Sequence, residues 1–270
     1  MHLTDHELLE TLNFRSPIAG SENGAGGHAL FQYDDSTVFK CRIKNGPANQ
    51  QWEALTYQFI RAHTTIPVPR VYRVISYEFS HLIFMDYIPG ERLDSVWPTL
   101  SIWQKCHVAW TLRGYVRQLR AIRGQFALRP GPLGGPDPRI CRGPMWPDCE
   151  DGPFDNFATF YRKARRYVLG VVDDLNDERT SEEYRQAEKN LVFTHNDLNM
   201  RNVIIGEDGQ LWLIDWDWSG FYPVYFEYVS SALASKCSAI QAPLSWEVMV
   251  PFISSPFFKE GHRLESFPWR

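Results

Sequence analysis

Four polar side chains in one short stretch have the types and spacing that phosphoryl transfer needs. They are His195, Asp197, Asn202 and Asp215, inside residues 191–219, LVFTHNDLNMRNVIIGEDGQLWLIDWDWS. Asp197 precedes Asn202 by five positions, and Asp215 follows Asn202 by thirteen. A carboxylate can orient an attacking hydroxyl and accept its proton. An amide oxygen and a second carboxylate can hold magnesium, which takes oxygen ligands and neutralises phosphate charge. Asp197 suits the first task, and Asn202 and Asp215 suit the second. The blander alternative, a polar hairpin loop with a capping aspartate, requires four polar types to fall at fixed offsets by coincidence.

These side chains need rigid elements beneath them. Apolar runs at 191–194, 202–205 and 211–214 read as strands. The turn at 207–210 contains Asp208-Gly209, a strong hairpin signal. His195, Asp197 and Asn202 then lie on the loop between two strands, where catalytic groups tend to be presented, and Asp215 follows the third.

The run from His195 to Asn202, HNDLNMRN, matches the kinase pattern H-x-D-x-x-x-x-N position for position. With the IDWDWSGFYP run at 214–223, it resembles the aminoglycoside phosphotransferase/choline kinase group, especially its fungal-type members. Asn196 stands where that family usually has glycine, and Asn tolerates left-handed backbone better than most residues. Asp215-Trp216-Asp217 replaces the D-F-G of protein kinases and favours the small-molecule branch. The resemblance spans about residues 20–235. It implies an α+β, two-lobed protein-kinase-like fold with ATP and magnesium in the cleft. Residues 1–88 would form a nucleotide-binding lobe, a small antiparallel sheet plus a helix. Residues 89–270 would form a larger, mainly helical catalytic and substrate lobe.

The resemblance also assigns residues outside the central stretch. Gly24, Gly26 and Gly27 sit in a glycine-rich turn before a β-hairpin and would cover the phosphates with backbone amides. Lys40, on the strand-like run 37–43, would clamp the phosphates, and Glu53, on a helix over 48–62, would hold Lys40. The segment IPVPRVY at 66–72 leads into strands at 71–77 and 81–87. The second strand ends at a hinge whose backbone near Asp86 and Ile88 would bind the adenine edge. His195 would brace the catalytic loop. Glu227 would either tie that loop in place or touch substrate.

Ser101 and Gln104 form a capping box that opens a long helix to about residue 123. Its expected buried stripe is Ile102, Cys106, Ala109, Leu112, Val116, Leu119 and Ile122. Helices are expected over 156–173, 181–190 and from Pro223 onward, with a short strand at 139–142. Acidic residues of the Pro/Gly-rich stretch 124–154 either face solvent or contact substrate.

With 270 residues, 44% of them hydrophobic and 22% charged, the chain can bury a large core. A net charge of −4 leaves no basic footprint for nucleic acid. No run approaches the roughly 20 apolar residues of a membrane span. The N-terminus has no apolar core of a signal peptide, and five scattered cysteines without a C-x-x-C pair suit reduced thiols in the cytoplasm. The expected activity is ATP-dependent transfer of the γ-phosphate to a hydroxyl of a small molecule. Two other readings stay open: a kinase fold repurposed for a different biosynthetic step, and a non-catalytic nucleotide-binding scaffold. The sequence names neither the acceptor nor the oligomeric state.

Overall fold

The computed structural model describes residues 4–12, 17–20, 28–42, 50–77, 80–122, 129–133, 140–146, 150–169, 182–237 and 242–257. The N-terminal part begins with α1 (Asp5–Glu10), capped by Thr4 and Glu7. Five antiparallel strands follow: β1 (Ala19–Gly20), β2 (His28–Gln32), β3 (Thr37–Arg42), β4 (Val71–Tyr77) and β5 (Ser80–Asp86). Their order is β1-β2-β3-β5-β4. α2 (Gln50–His63) crosses between β3 and β4 in the chain.

Alternation along β3 divides the work of its two faces. Phe39 and Cys41 pack into a small core with Leu8, Phe31, Ile75, Leu82 and Phe84. Ring stacking of Phe39 on Phe31 and Phe84, at 5.0 and 5.4 Å, fixes the strand registers there. Val38 and Lys40 face the other way, and Val38 joins the main core with Tyr57 and Ile60 of α2. The helix therefore belongs to the large core as much as to its own sheet.

Residues 87–89 lead to β6 (Gly90–Arg92), α3 (Leu93–Val96) and α4 (Ile102–Ala121), which carries the expected capping box. After β7 (Gly131–Pro132), β8 (Cys141–Arg142) and β9 (Glu150–Asp151) come α5 (Phe157–Leu169) and α6 (Glu182–Lys189). The central stretch supplies β10 (Leu191–Thr194), β11 (Val203–Gly206), β12 (Leu211–Leu213) and β13 (Gly220–Pro223), followed by α7 (Phe226–Cys237), α8 (Leu244–Glu247) and α9 (Val250–Ser254). Among the described residues no helix is long and apolar enough to cross a membrane.

Two expectations need correction. β10 pairs with β13, from Leu191 opposite Pro223 to Thr194 opposite Gly220. Pro223 therefore ends a strand, and the helix begins at Phe226. The apolar pair Phe221 and Tyr222 is better buried in a sheet, where Phe221 meets Phe193 and Tyr222 stacks on Phe226. The α4 stripe also begins later than expected. Ile102 is 61% exposed and Cys106 is exposed, because the buried part of the helix runs from Val108 to Leu119. β11 gains a partner that the sequence does not announce, the short β6 just past the linker.

Candidate active site

The loop after β10 is held from below. Glu227, near the start of α7 and almost fully buried, accepts the backbone N–H of His195 at 2.7 Å and of Asn196 at 3.2 Å. Burial pushes its carboxyl up to about 7, while these amides and Arg120 pull the other way. Glu227 thus ties the loop rather than reaching for substrate. Asn196 takes a positive φ of 64°, a conformation that L-residues rarely adopt and that Asn tolerates. Its side-chain amide donates to the carbonyls of Arg142 at 2.6 Å and Trp218 at 3.3 Å. A Cβ on Gly143 would meet that amide at 2.6 Å, so the glycine leaves it the room.

Two amides aim the Asp197 carboxylate. Asn199 Nδ2 donates to one oxygen and Asn202 Nδ2 to the other, each at 2.8 Å. Both also hold the Asp197 main-chain carbonyl, at 3.0 and 2.9 Å. Burial and then Asp215 push the Asp197 carboxyl up to about 7, against Arg201 and the two asparagines. A carboxylate this basic is poised to take a proton near neutral pH. Asn199 drew no role from the sequence; an amide two residues after an acid was the available signal.

His195 is completely buried, and its ring orientation is set at both nitrogens. The Asp197 N–H donates to Nδ1 at 3.3 Å, so Nε2 carries the proton and donates to the Ile214 carbonyl at 3.2 Å. Burial lowers its pKa to about 4, although Asp215 and the Ile214 carbonyl favour the charged form. A neutral imidazole bracing the loop is the result. The unfolded imidazole takes a proton first, near 6.5. The stability His195 contributes is therefore complete above pH 6.5 and is lost as pH falls towards 4, by about 3 kcal/mol in all. Urea denaturation at several pH values checks this. The acid loss between 6.5 and 4 should be shallower in His195→Gln; equal slopes would remove the assignment.

A second network joins the two parts of the chain. Lys40 Nζ lies 2.9 Å from Glu53 Oε1 and 2.7 Å from Asp215 Oδ1. Burial works against the ammonium, but Asp215 and then Glu53 outweigh it and hold Lys40 well above the ordinary lysine range. The Glu53 side chain is fully buried, whereas Asp215 is 45% exposed and so opens to the cleft. Asp215 also has a positive φ, 65°. Its backbone N–H donates to the hydroxyl of Tyr57 at 3.0 Å.

Beside this lies a third contact. Arg142 of β8 pairs with Asp217 at 3.1 Å, both side chains nearly buried, and its Nε lies 3.6 Å from Glu150 of β9. The hairpin that the sequence left between solvent and substrate is thus anchored to the D-W-D-W run. Arg142 and Tyr57 carried no sequence signal beyond their residue types.

The structure brings Lys40, Glu53, Asp197, Asn202 and Asp215 into one constellation. Gly24, Gly26 and Gly27 lie outside the described residues. Asp86 ends β5, and its carboxylate is taken by the Arg70 N–H at 2.7 Å and by the Tyr72 hydroxyl. Its side chain thus buttresses β4, and its backbone N–H donates to the Arg70 carbonyl at 3.1 Å. Ile88 is buried on the linker, beside an open cavity of about 380 Å³ that Asp86, Pro89 and Trp212 also line.

The donor set fits magnesium held against phosphate. Asn202 has its amide nitrogen occupied by Asp197, so its carbonyl oxygen is the atom left for a cation. Asp215 shares the single Lys40 ammonium with Glu53 and is the exposed one of the two carboxylates, so it is the one a cation can reach. Among the described residues no group of three or more His, Cys, Asp or Glu forms a protein cage for a metal. One or two protein oxygens, with the rest from phosphate and water, is the usual magnesium arrangement.

No curated protein sequence matches the chain. The fold matches aminoglycoside phosphotransferase APH(2'')-Ib in its ADP-bound form, with a TM-score of 0.57 and 15% identity over 97% of this chain and 86% of that one. It matches APH(2'')-IIa in its gentamicin complex with a TM-score of 0.56 and 15% identity, over 96% and 82%. It matches the aminoglycoside-3'-phosphotransferase of type VIII with a TM-score of 0.53 and 19% identity, over 92% and 90%. At such identities these likenesses speak for the kinase-like fold. The model of the phosphotransferase enzyme family matches residues 31–245, most of the chain and every described site residue above, so the protein belongs to the phosphotransferase enzyme family.

Proposed function

We propose that the protein transfers the γ-phosphate of ATP to a hydroxyl of a small molecule. The observation that carries this reading is the bridge of Lys40 between Glu53 on α2 and Asp215 at the other wall of the cleft, with the Asp197–Asn202 pair beside it. Lys40 would hold the α- and β-phosphates, and Gly24, Gly26 and Gly27 would cover them. The backbone near Asp86 and Ile88 would meet the adenine edge. Asn202 and Asp215 would hold magnesium, which supplies charge neutralisation on the phosphates. Asp197 orients the acceptor hydroxyl. As the hydroxyl oxygen bonds to the γ-phosphorus and the bond to the bridging oxygen breaks, its proton passes to Asp197 and ADP leaves. Positioning and charge neutralisation supply most of the acceleration.

Calorimetric titration of magnesium-ATP into the protein tests the nucleotide site. Metal-dependent binding is expected, and its absence would overturn the reading. Hydroxyl-bearing acceptors can then be screened for ADP release. Aminoglycosides come first because solved structural neighbours are complexes with gentamicin and streptomycin.

A further inference from the structure

The peptide group joining Ile214 to Asp215 is gripped at both ends by buried side chains. Its carbonyl oxygen accepts from His195 Nε2 at 3.2 Å, and its N–H donates to the Tyr57 hydroxyl at 3.0 Å. The two grips come from different parts of the chain. His195 stands on the loop after β10, and Tyr57 stands on α2, 158 residues away from Asp215. Rotation of this peptide plane is what sets the φ of Asp215. That angle is 65°, a conformation that costs an L-residue energy and persists only where its surroundings over-determine it.

Tyr57 is 1% exposed and lies one helical turn after Glu53, so both project from the same face of α2. One face of one helix therefore serves Asp215 twice. Glu53 holds Lys40, which holds the Asp215 carboxylate, and Tyr57 holds the Asp215 backbone. The ring closes through the helix itself. A shift of α2 would loosen the ammonium and the peptide plane together.

We propose that Tyr57 is a positioning residue for the metal site: its hydroxyl clamps the 214–215 peptide, opposite His195, and so holds Asp215 in its metal-binding conformer. This rests on the magnesium-ATP reading above. It makes the docking of α2 a condition of metal binding, in addition to its part in placing Lys40.

Tyr57→Phe removes the acceptor and keeps the ring that packs in the core. Two calorimetric titrations read the result: magnesium into the protein at saturating ATP, and ATP into the protein with metal chelated. The apparent magnesium dissociation constant is expected to rise about three- to tenfold, the range for loss of one hydrogen bond, with metal-free ATP affinity unchanged. Deuterium exchange over residues 213–216 should quicken in the variant, and this reading does not depend on any ligand. An unchanged magnesium constant would overturn the proposal, as would an equal loss of metal-free and metal-dependent binding, the mark of a purely structural tyrosine. Should the variant fail to fold, exchange of the Asp215 amide in the unaltered protein decides instead: slow exchange is expected, and a fast-exchanging amide there overturns the clamp. Absent magnesium-ATP binding in the unaltered protein would sink the nucleotide reading first and this proposal with it.

Discussion

Asp197→Ala is expected to slow phosphoryl transfer by about 10²- to 10⁴-fold, with the affinity for magnesium-ATP unchanged. The separation of the two effects follows from the hydrogen bonds. The substitution removes the carboxylate that would take the hydroxyl proton. It leaves the main-chain carbonyl of residue 197, to which Asn202 Nδ2 donates at 2.9 Å and Asn199 Nδ2 at 3.0 Å. Asn202 keeps its orientation and its free oxygen, so the metal site survives. Stability should not suffer either, because burial already pushes the Asp197 carboxyl up to about 7 and holding its charge costs folding energy. A melting temperature equal to or above the original, with full nucleotide binding and collapsed turnover, is the expected signature. Undiminished turnover would remove Asp197 from the reaction; lost nucleotide binding would make it structural.

Asp215 should behave in the opposite way. Asp215→Ala is expected to weaken magnesium-dependent ATP binding at least about 100-fold, with transfer falling accordingly. The alanine removes the metal oxygen and Lys40's exposed counter-charge at 2.7 Å. It also places a residue without a polar side chain at φ 65°, a conformation that only Gly, and occasionally Asn or Asp, visits routinely. Asp215→Asn separates these causes. Asn accepts the left-handed conformation and offers Lys40 an oxygen, but carries no charge for the metal. Both variants should lose magnesium dependence, and only the alanine should also lose stability, by about 1 kcal/mol. Magnesium titrations and urea denaturation of the pair check this. Retained metal dependence in Asp215→Asn would place the metal elsewhere.

Much of the candidate site was legible in the chain because its parts are local. Asp197 and Asn202 fall within six positions, and a loop that short can make its own hydrogen bonds once strands pin its ends. The β3 run with its lone lysine, the glutamate in the middle of α2 and the Asp-Gly hairpin are likewise local patterns with a local physical cause. The fold class followed from the family resemblance that these motifs carry, and the strand and helix spans that the sequence predicts agree within a few residues among the described residues. The α4 stripe misled because helical periodicity reports which face is apolar, not how far along the helix the core extends. Ile102 has the right period and still stands in solvent.

The sequence by itself, through the motifs that resemble a known family, determined the family and the two-lobed fold class and named the side chains proposed to carry the chemistry, since those motifs depend on residue type and short spacing. Only the tertiary structure decided how they meet. Lys40 and Asp215 are 175 residues apart, and nothing local says that one ammonium bridges both carboxylates. The pairing of β10 with β13, the anchoring of Asn196 to Arg142, and the grip of Tyr57 on the Asp215 amide are contacts of the same long-range kind. They form because burial of polar groups is tolerated only where each finds its partner. Which partner that is depends on how the core packs α2 and α7 around the cleft.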